Sequence, residues 1–146
     1  MTKQLSRALM LASLALLASA VVALAAPVKG KTYKGALVRG HERITLRVSK
    51  SGHSMLVNVP FAPLYCASGG ALQRQSSVAV PISRSGTFAG SIAYEFTQTH
   101  LKIAHLTFSG KFSGRTVTGV AHSEFLLAVL KNCDGSSTFS AKATKK

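Results

Sequence analysis

The chain has 146 residues, with 18 Lys and Arg against 4 Asp and Glu, a formal charge of +14 at neutral pH. Such scattered, scarce acids, with no G-x-S-x-G, H-E-x-x-H or phosphate-loop pattern beside them, leave catalysis little material, and no enzymatic activity is expected. The length suits one domain around one core, and the basic excess points to polyanionic partners.

Lys3 and Arg7 precede an uncharged apolar run that ends in the small residues Ala23 and Ala25. This is the pattern of a secretory signal peptide over 1–25, cut after Ala25 with Ala20 as the alternative site, leaving 26–146 as a single β-domain. The alternative is a retained anchor, since the stretch from Ala8 to Ala26 is long enough to span a bilayer. A secreted or extracytoplasmic location is expected, reached by bacterial export. Without Lys3 and Arg7 the domain keeps 16 basic residues against the same four acids, a formal +12.

Tyr33, Gly35 and Leu37 alternate with Lys34 and Ala36 in a first strand. In ERITLRV, Ile44, Leu46 and Val48 point one way and Arg43, Thr45 and Arg47 the other, the signature of a half-buried strand. Lys50 to His53 supplies a turn, and Met55, Val57 and Val59 resume the alternation, so the pair reads as a hairpin. The stretch PFAPLYCASGG, from Pro60 to Gly70, is too rich in Pro and Gly for a central strand and reads as a loop. Cys66 in this loop and Cys133 are the only cysteines, and in an oxidising compartment one disulfide between them is expected. No Cys-x-x-Cys or clustered His-Cys spacing points to redox or metal chemistry, and no cofactor is expected.

Val78, Val80 and Ile82 mark a short strand that Pro81 assigns to an edge or a bulge. After a turn at Ser83 to Gly86, Phe88, Gly90, Ile92, Tyr94 and Phe96 occupy alternate positions of a longer strand. The apolar phase changes between Ile103 and Leu106, and a bulge near Ala104 or His105 reconciles the two. EFLLAVLK, Glu124 to Lys131, fits a buried strand or a short helix. Asp134-Gly135 is expected to turn into a last strand over Thr138 to Ala143. About eight strands and no long helix give an all-β fold, either a single small antiparallel β-barrel or a two-sheet β-sandwich.

The recurrence Tyr33-x-Gly35, Phe88-x-Gly90, Phe108-x-Gly110 and Val117-x-Gly119 favours the barrel, because glycines beneath aromatic rings allow sharp coiling of a sheet. For the hairpin after Phe112 two registers are open. A Ser113-Gly114 loop sets Phe108 against Gly119, whereas a Gly114-Arg115 loop sets Gly110 against Gly119. The order of glycine-bearing strands, the cysteine after the third strand, the paired F-x-G and V-x-G strands and the final C-D-G-x-x-x-F resemble uncharacterised small secreted bacterial β-proteins with two cysteines. That resemblance implies an exported, disulfide-linked β-domain and no established activity.

Two binding readings follow. Lys34, Arg39, Arg43 and Arg47, with His41, fall in the outward phase and suggest a basic stripe for anionic envelope or extracellular polymers. Aromatic side chains are not interleaved with it, so no dedicated nucleic-acid platform is expected. The alternative is a carrier of a small apolar ligand, with Phe88, Tyr94, Phe108 and Phe112 lining the barrel. His105, His122 and Glu124 would share a face in the first hairpin register, but surface histidines are the simpler reading, and no metal site is assigned.

Overall fold

The computed structural model describes residues 26–66, 70–71, 77–96 and 98–145, so the expected signal peptide lies outside the described residues. The strands are β1 (Thr32–Leu37), β2 (Arg43–Val48), β3 (Ser54–Asn58), β4 (Ala62–Pro63), β5 (Gly70–Ala71), β6 (Val78–Pro81), β7 (Thr87–Glu95), β8 (Lys102–Ser113), β9 (Thr116–Phe125) and β10 (Gly135–Ala143). A short 3-10 helix over Ala128–Cys133 resolves EFLLAVLK: its start ends β9, and the remainder leads into this turn of helix. No helix among the described residues is long and apolar enough to cross a membrane.

Eight strands form one antiparallel sheet in the order β6-β3-β2-β1-β10-β9-β8-β7, nearly closed into a barrel, while β4 and β5 pair separately. A single coiled sheet thus replaces the two-sheet sandwich. Period-2 alternation builds the wall: Ile44, Leu46 and Val48 are buried while Arg43 and Arg47 are exposed. The gap in the ring lies between β6 and β7. Ile82 N–H donates to His53 O at 2.8 Å, so the nitrogen of Pro81, one residue earlier, faces β7 and has no hydrogen to give.

The β8–β9 hairpin takes the second of the two registers. Ser113 pairs with Thr116, Gly110 with Gly119, and the loop is Gly114-Arg115, with Gly114 at φ 57°. Glycine at the first loop position adopts this left-handed conformation without the clash a Cβ brings. The rings over the glycines come from neighbouring hairpins. Phe88 pairs with Gly110, Phe108 with Gly90 and Phe139 with Gly119, each ring lying where the missing Cβ would be. Tyr33 and Phe88 pack on Phe112 with centroids 5.0 and 5.3 Å away, filling the interior. Burial of each such side chain stabilises the fold by about 2 kcal/mol.

The bulge expected near Ala104 is present as an extra residue in β8: Tyr94 pairs with Ala104 and Glu95 with Lys102, so Ile103 and Ala104 are both buried in succession. Two local expectations are corrected. Phe96 does not continue the buried phase, because β7 ends at Glu95 and Phe96 turns outward, 39 % exposed. Gly135 opens β10 rather than closing a turn, and Asp134 Oδ1 accepts from Phe125 N–H at 2.6 Å, holding β9 against the helix.

The two ends of the barrel differ. One carries the short turns 49–53, 82–86 and 114–115 together with the residues that precede β1 and follow β10. The other carries the long connections, and there Cys66 and Cys133 form the expected disulfide, tying the β3–β6 connection to the 3-10 helix.

Candidate functional site

The outward face of β2, β1 and β10 is the most basic part of the wall. Lys34 on β1 stands directly opposite Lys142 on β10, and Arg43 and Arg47 project from β2 on the other side of β1. All four side chains are exposed. Like charges directly opposed across a ladder are destabilising, by about 0.5 kcal/mol. Among the described residues no carboxylate relieves them: the ion contacts, Glu95 with His100 and Lys131 with both Glu124 and Asp134, all lie at the disulfide end. Three of the four residues expected in the stripe are therefore brought together. Lys142 was missed, although Ser136, Thr138, Ser140 and Lys142 alternate outward in the sequence, because only the β1–β10 pairing puts it beside Lys34.

Arg39 belongs elsewhere. Its guanidinium donates to Tyr65 O at 3.0 Å and lies 5.1 Å from the Tyr65 ring centroid, and the Arg39 backbone N–H donates to Ser137 Oγ at 2.7 Å. This contact braces the loop beside the disulfide. The Tyr65 ring covers Gly135, where a Cβ would come within 2.7 Å of it, and so plugs that end of the barrel. Around the plug lie buried polar groups that sequence periodicity does not reveal. Glu42 is buried at the start of β2, Tyr94 Oη donates to Val59 O at 3.0 Å, and Tyr65 Oη and Ser123 Oγ find no hydrogen-bond partner among the described residues.

Burial raises the Tyr65 phenol to about 12, Arg39 drawing it partly back, and burial also raises Tyr94, with Glu42 and Tyr65 adding to the effect. Burial raises the Glu42 carboxyl as well. The sign follows from proton counting. Between pH 10 and about 12 the unfolded chain has lost the Tyr65 proton and the folded chain retains it, so stability falls as pH rises through that window. Tyr65→Phe is expected to make this fall shallower. At neutral pH it leaves the melting temperature unchanged or higher, since it removes a hydroxyl that has lost water and gained no partner. Urea midpoints measured from neutral pH to pH 12 check both parts.

The four rings expected to line a ligand cavity, Phe88, Tyr94, Phe108 and Phe112, all point inward and are at most 5 % exposed. They do not gather around one space. Phe88 and Phe112 pack together near the turns, Phe108 covers Gly90, and Tyr94 reaches across to Val59 at the other end. Phe88 borders a shallow hollow of about 520 Å³ over the β6–β7 gap, and Phe108 borders one of about 320 Å³ on the outer face of β8. The hairpin register also separates the histidines: His105 faces Glu124 and His122 faces Thr107, with His122 Nδ1 at 2.9 Å from Ser136 Oγ. Among the described residues no three His, Cys, Asp or Glu side chains are grouped to hold a metal.

Comparison of the chain with protein-family models, curated proteins and solved structures gives no match.

Proposed function

We propose that this protein is an exported, non-enzymatic β-barrel domain that binds anionic envelope or extracellular polymers through the face formed by Lys34, Arg43, Arg47 and Lys142. The observation that carries the reading is the direct opposition of Lys34 and Lys142, flanked by two arginines and unrelieved by any carboxylate among the described residues. An anion seated between the two ammonium groups turns their mutual repulsion into shared attraction. The disulfide supports an oxidising, extracytoplasmic setting. The carrier reading draws less support, because the inward rings occupy one another's space and that of the glycines.

Binding to heparin or polyphosphate is expected to weaken steeply between about 50 and 200 mM salt. Lys34→Ser with Lys142→Ser is expected to weaken it about thirtyfold at the lower salt and to reduce the slope of log affinity against log salt by about 2. Fluorescence anisotropy with labelled polymer measures both quantities. Unchanged affinity and slope in the double variant would remove the lateral face from the reading.

A further inference from the structure

The end of the barrel that carries the short turns is a second basic surface, built differently from the lateral face. Lys29, Lys50, Arg84, Arg115 and Lys145 are all exposed there, one on each piece of chain that reaches it. All four acids, Glu42, Glu95, Glu124 and Asp134, sit at the opposite, disulfide end. Negative charge is thus confined to the disulfide end, where Arg39, Arg43, Lys102 and Lys131 accompany it, while the turn end is basic alone.

These turns form a continuous ring. Gly30 N–H donates to Ser49 O at 3.0 Å, Ile82 N–H to His53 O at 2.8 Å, Phe112 N–H to Gly86 O at 2.9 Å, Ala143 N–H to Arg115 O at 2.8 Å and Thr144 N–H to Thr32 O at 2.8 Å. Each bond joins one turn or terminal segment to the next, so this end is tied all the way round even though the wall between β6 and β7 is not. The basic side chains therefore stand on a fixed frame, which lowers the ordering cost of binding.

Two neighbouring turns repeat one motif. Ser49-Lys50-Ser51-Gly52 and Ser83-Arg84-Ser85-Gly86 each hold their two serine hydroxyls in contact, at 3.0 and 2.9 Å. In each, the glycine N–H donates to the first serine's carbonyl, at 3.1 and 3.0 Å, with glycine φ of 83° and 77°. The pairing of β3 with β6 sets the two copies side by side. Each offers exposed hydroxyls next to a cation. A carboxylate presents two coplanar oxygens, whereas a phosphate or sulfate group presents oxygens around a tetrahedron, which suits cations and hydroxyls offered by two neighbouring turns.

We propose that the twin Ser-basic-Ser-Gly turns bind phosphate or sulfate groups of a polyanionic polymer, so that the barrel docks by its turn end with the disulfide end facing away. This rests on the polyanion reading above but assigns the recognition of the group to different residues. A polymer is favoured over a bilayer because the exposed large apolar side chains Val38, Phe96, Leu101, Leu126 and Val129 lie at the far end and Leu56 and Val120 in the middle of strands β3 and β9, leaving none among the described residues on the turns themselves to enter lipid.

The test compares polyphosphate, poly-glutamate and anionic vesicles against the full exported domain at fixed salt. Polyphosphate is expected to bind about tenfold tighter than poly-glutamate of equal charge. Lys50→Ser with Arg84→Ser is expected to weaken polyphosphate binding about thirtyfold. Ser51→Ala with Ser85→Ala, which keeps every charge, is expected to erase the preference for phosphate while leaving the salt slope in place. In the unmodified protein, the Gly52 and Gly86 amide resonances should shift first as polyphosphate is added. Retention of the phosphate preference by the serine variant overturns the proposal. So does loss of binding only in the Lys34→Ser, Lys142→Ser variant, which leaves the lateral-face reading standing. Stronger binding to vesicles than to polyphosphate also overturns it, and failure of the unmodified protein to bind either polymer overturns both readings.

Discussion

Alanine at Gly119 is expected to destabilise the barrel by about 3 kcal/mol, the largest effect among the three glycines that lie beneath phenylalanine rings. A Cβ there would meet the Ser109 carbonyl on one side and the Phe139 ring on the other, and the carbonyl is fixed by the ladder. At Gly110 the same methyl meets Phe88 Cζ at 2.6 Å and Thr118 O at 2.6 Å, for a cost of about 2 kcal/mol. At Gly90 it meets only the far ends of Phe108 and Val80, both at 2.9 Å, and Val80 sits on β6, which is not hydrogen-bonded to β7. That side of the barrel can give way, so the cost falls to about 1 kcal/mol. Urea unfolding of the three variants measures the order. Phe139→Leu in the Gly119→Ala background is expected to recover part of the loss and no more, because the carbonyl remains. A Gly90 variant worse than the Gly119 variant would show that the rings do not set the limit.

Removal of the disulfide by Cys66→Ser with Cys133→Ser is expected to cost about 4 kcal/mol, since the bridge closes a separation of 67 residues and so restricts the unfolded chain. Against the roughly 5 to 15 kcal/mol that holds a typical domain, this is a large fraction. The loss is global in origin but local in first appearance. Without the bridge, the Tyr65 plug is held by its N–H bond to Cys133 O at 3.2 Å and by the Arg39 contacts. Amides around the 3-10 helix and Asp134 are expected to exchange with solvent before those of β8 and β9. Unfolding in urea with and without reductant supplies the magnitude, and hydrogen exchange supplies the order. A loss below about 1 kcal/mol would mean that the packing at Tyr65 already fixes the loop.

Much of the wall was legible because strand alternation is a local property. Ile44, Leu46 and Val48 announce a buried face whatever lies beside them, and Pro81 announces an edge because a missing N–H is missing in any partner's ladder. Pairing is not local, and there the sequence divides less cleanly. Both candidate loops after Phe112 keep Phe108, Phe112, Val117 and Ala121 inward, so hydrophobic phase alone does not choose between them. The ring that covers Gly119 comes from Phe139 on the next strand rather than from Phe108, a partnership visible only once β9 is seen beside β10. The candidate face has the same history. Lys34 and Lys142 are more than a hundred positions apart, and the closing ladder makes them neighbours. Arg39 follows the outward phase of β2 in sequence, yet it lies in a turn where alternation no longer applies and its side chain answers to Tyr65. The twin turns read in sequence as two ordinary loops. Their common motif gains meaning from the pairing of β3 with β6.

The position of the β6–β7 gap bears on how the chain could be rewired. Tyr33 pairs with Ala143, so the two ends of the described barrel run side by side, while residues 83–86 join the two strands that lack a ladder. The chain thus places a covalent link where hydrogen bonds are missing, and hydrogen bonds where it has no link. A circular permutant opened within 83–86 and joined across the present ends would run β7-β8-β9-β10-β1-β2-β3-β6, each strand bonded to the next. In that connectivity the long-range closure between β1 and β10 becomes a local hairpin. The gap then becomes the natural meeting place of the first strand and the last.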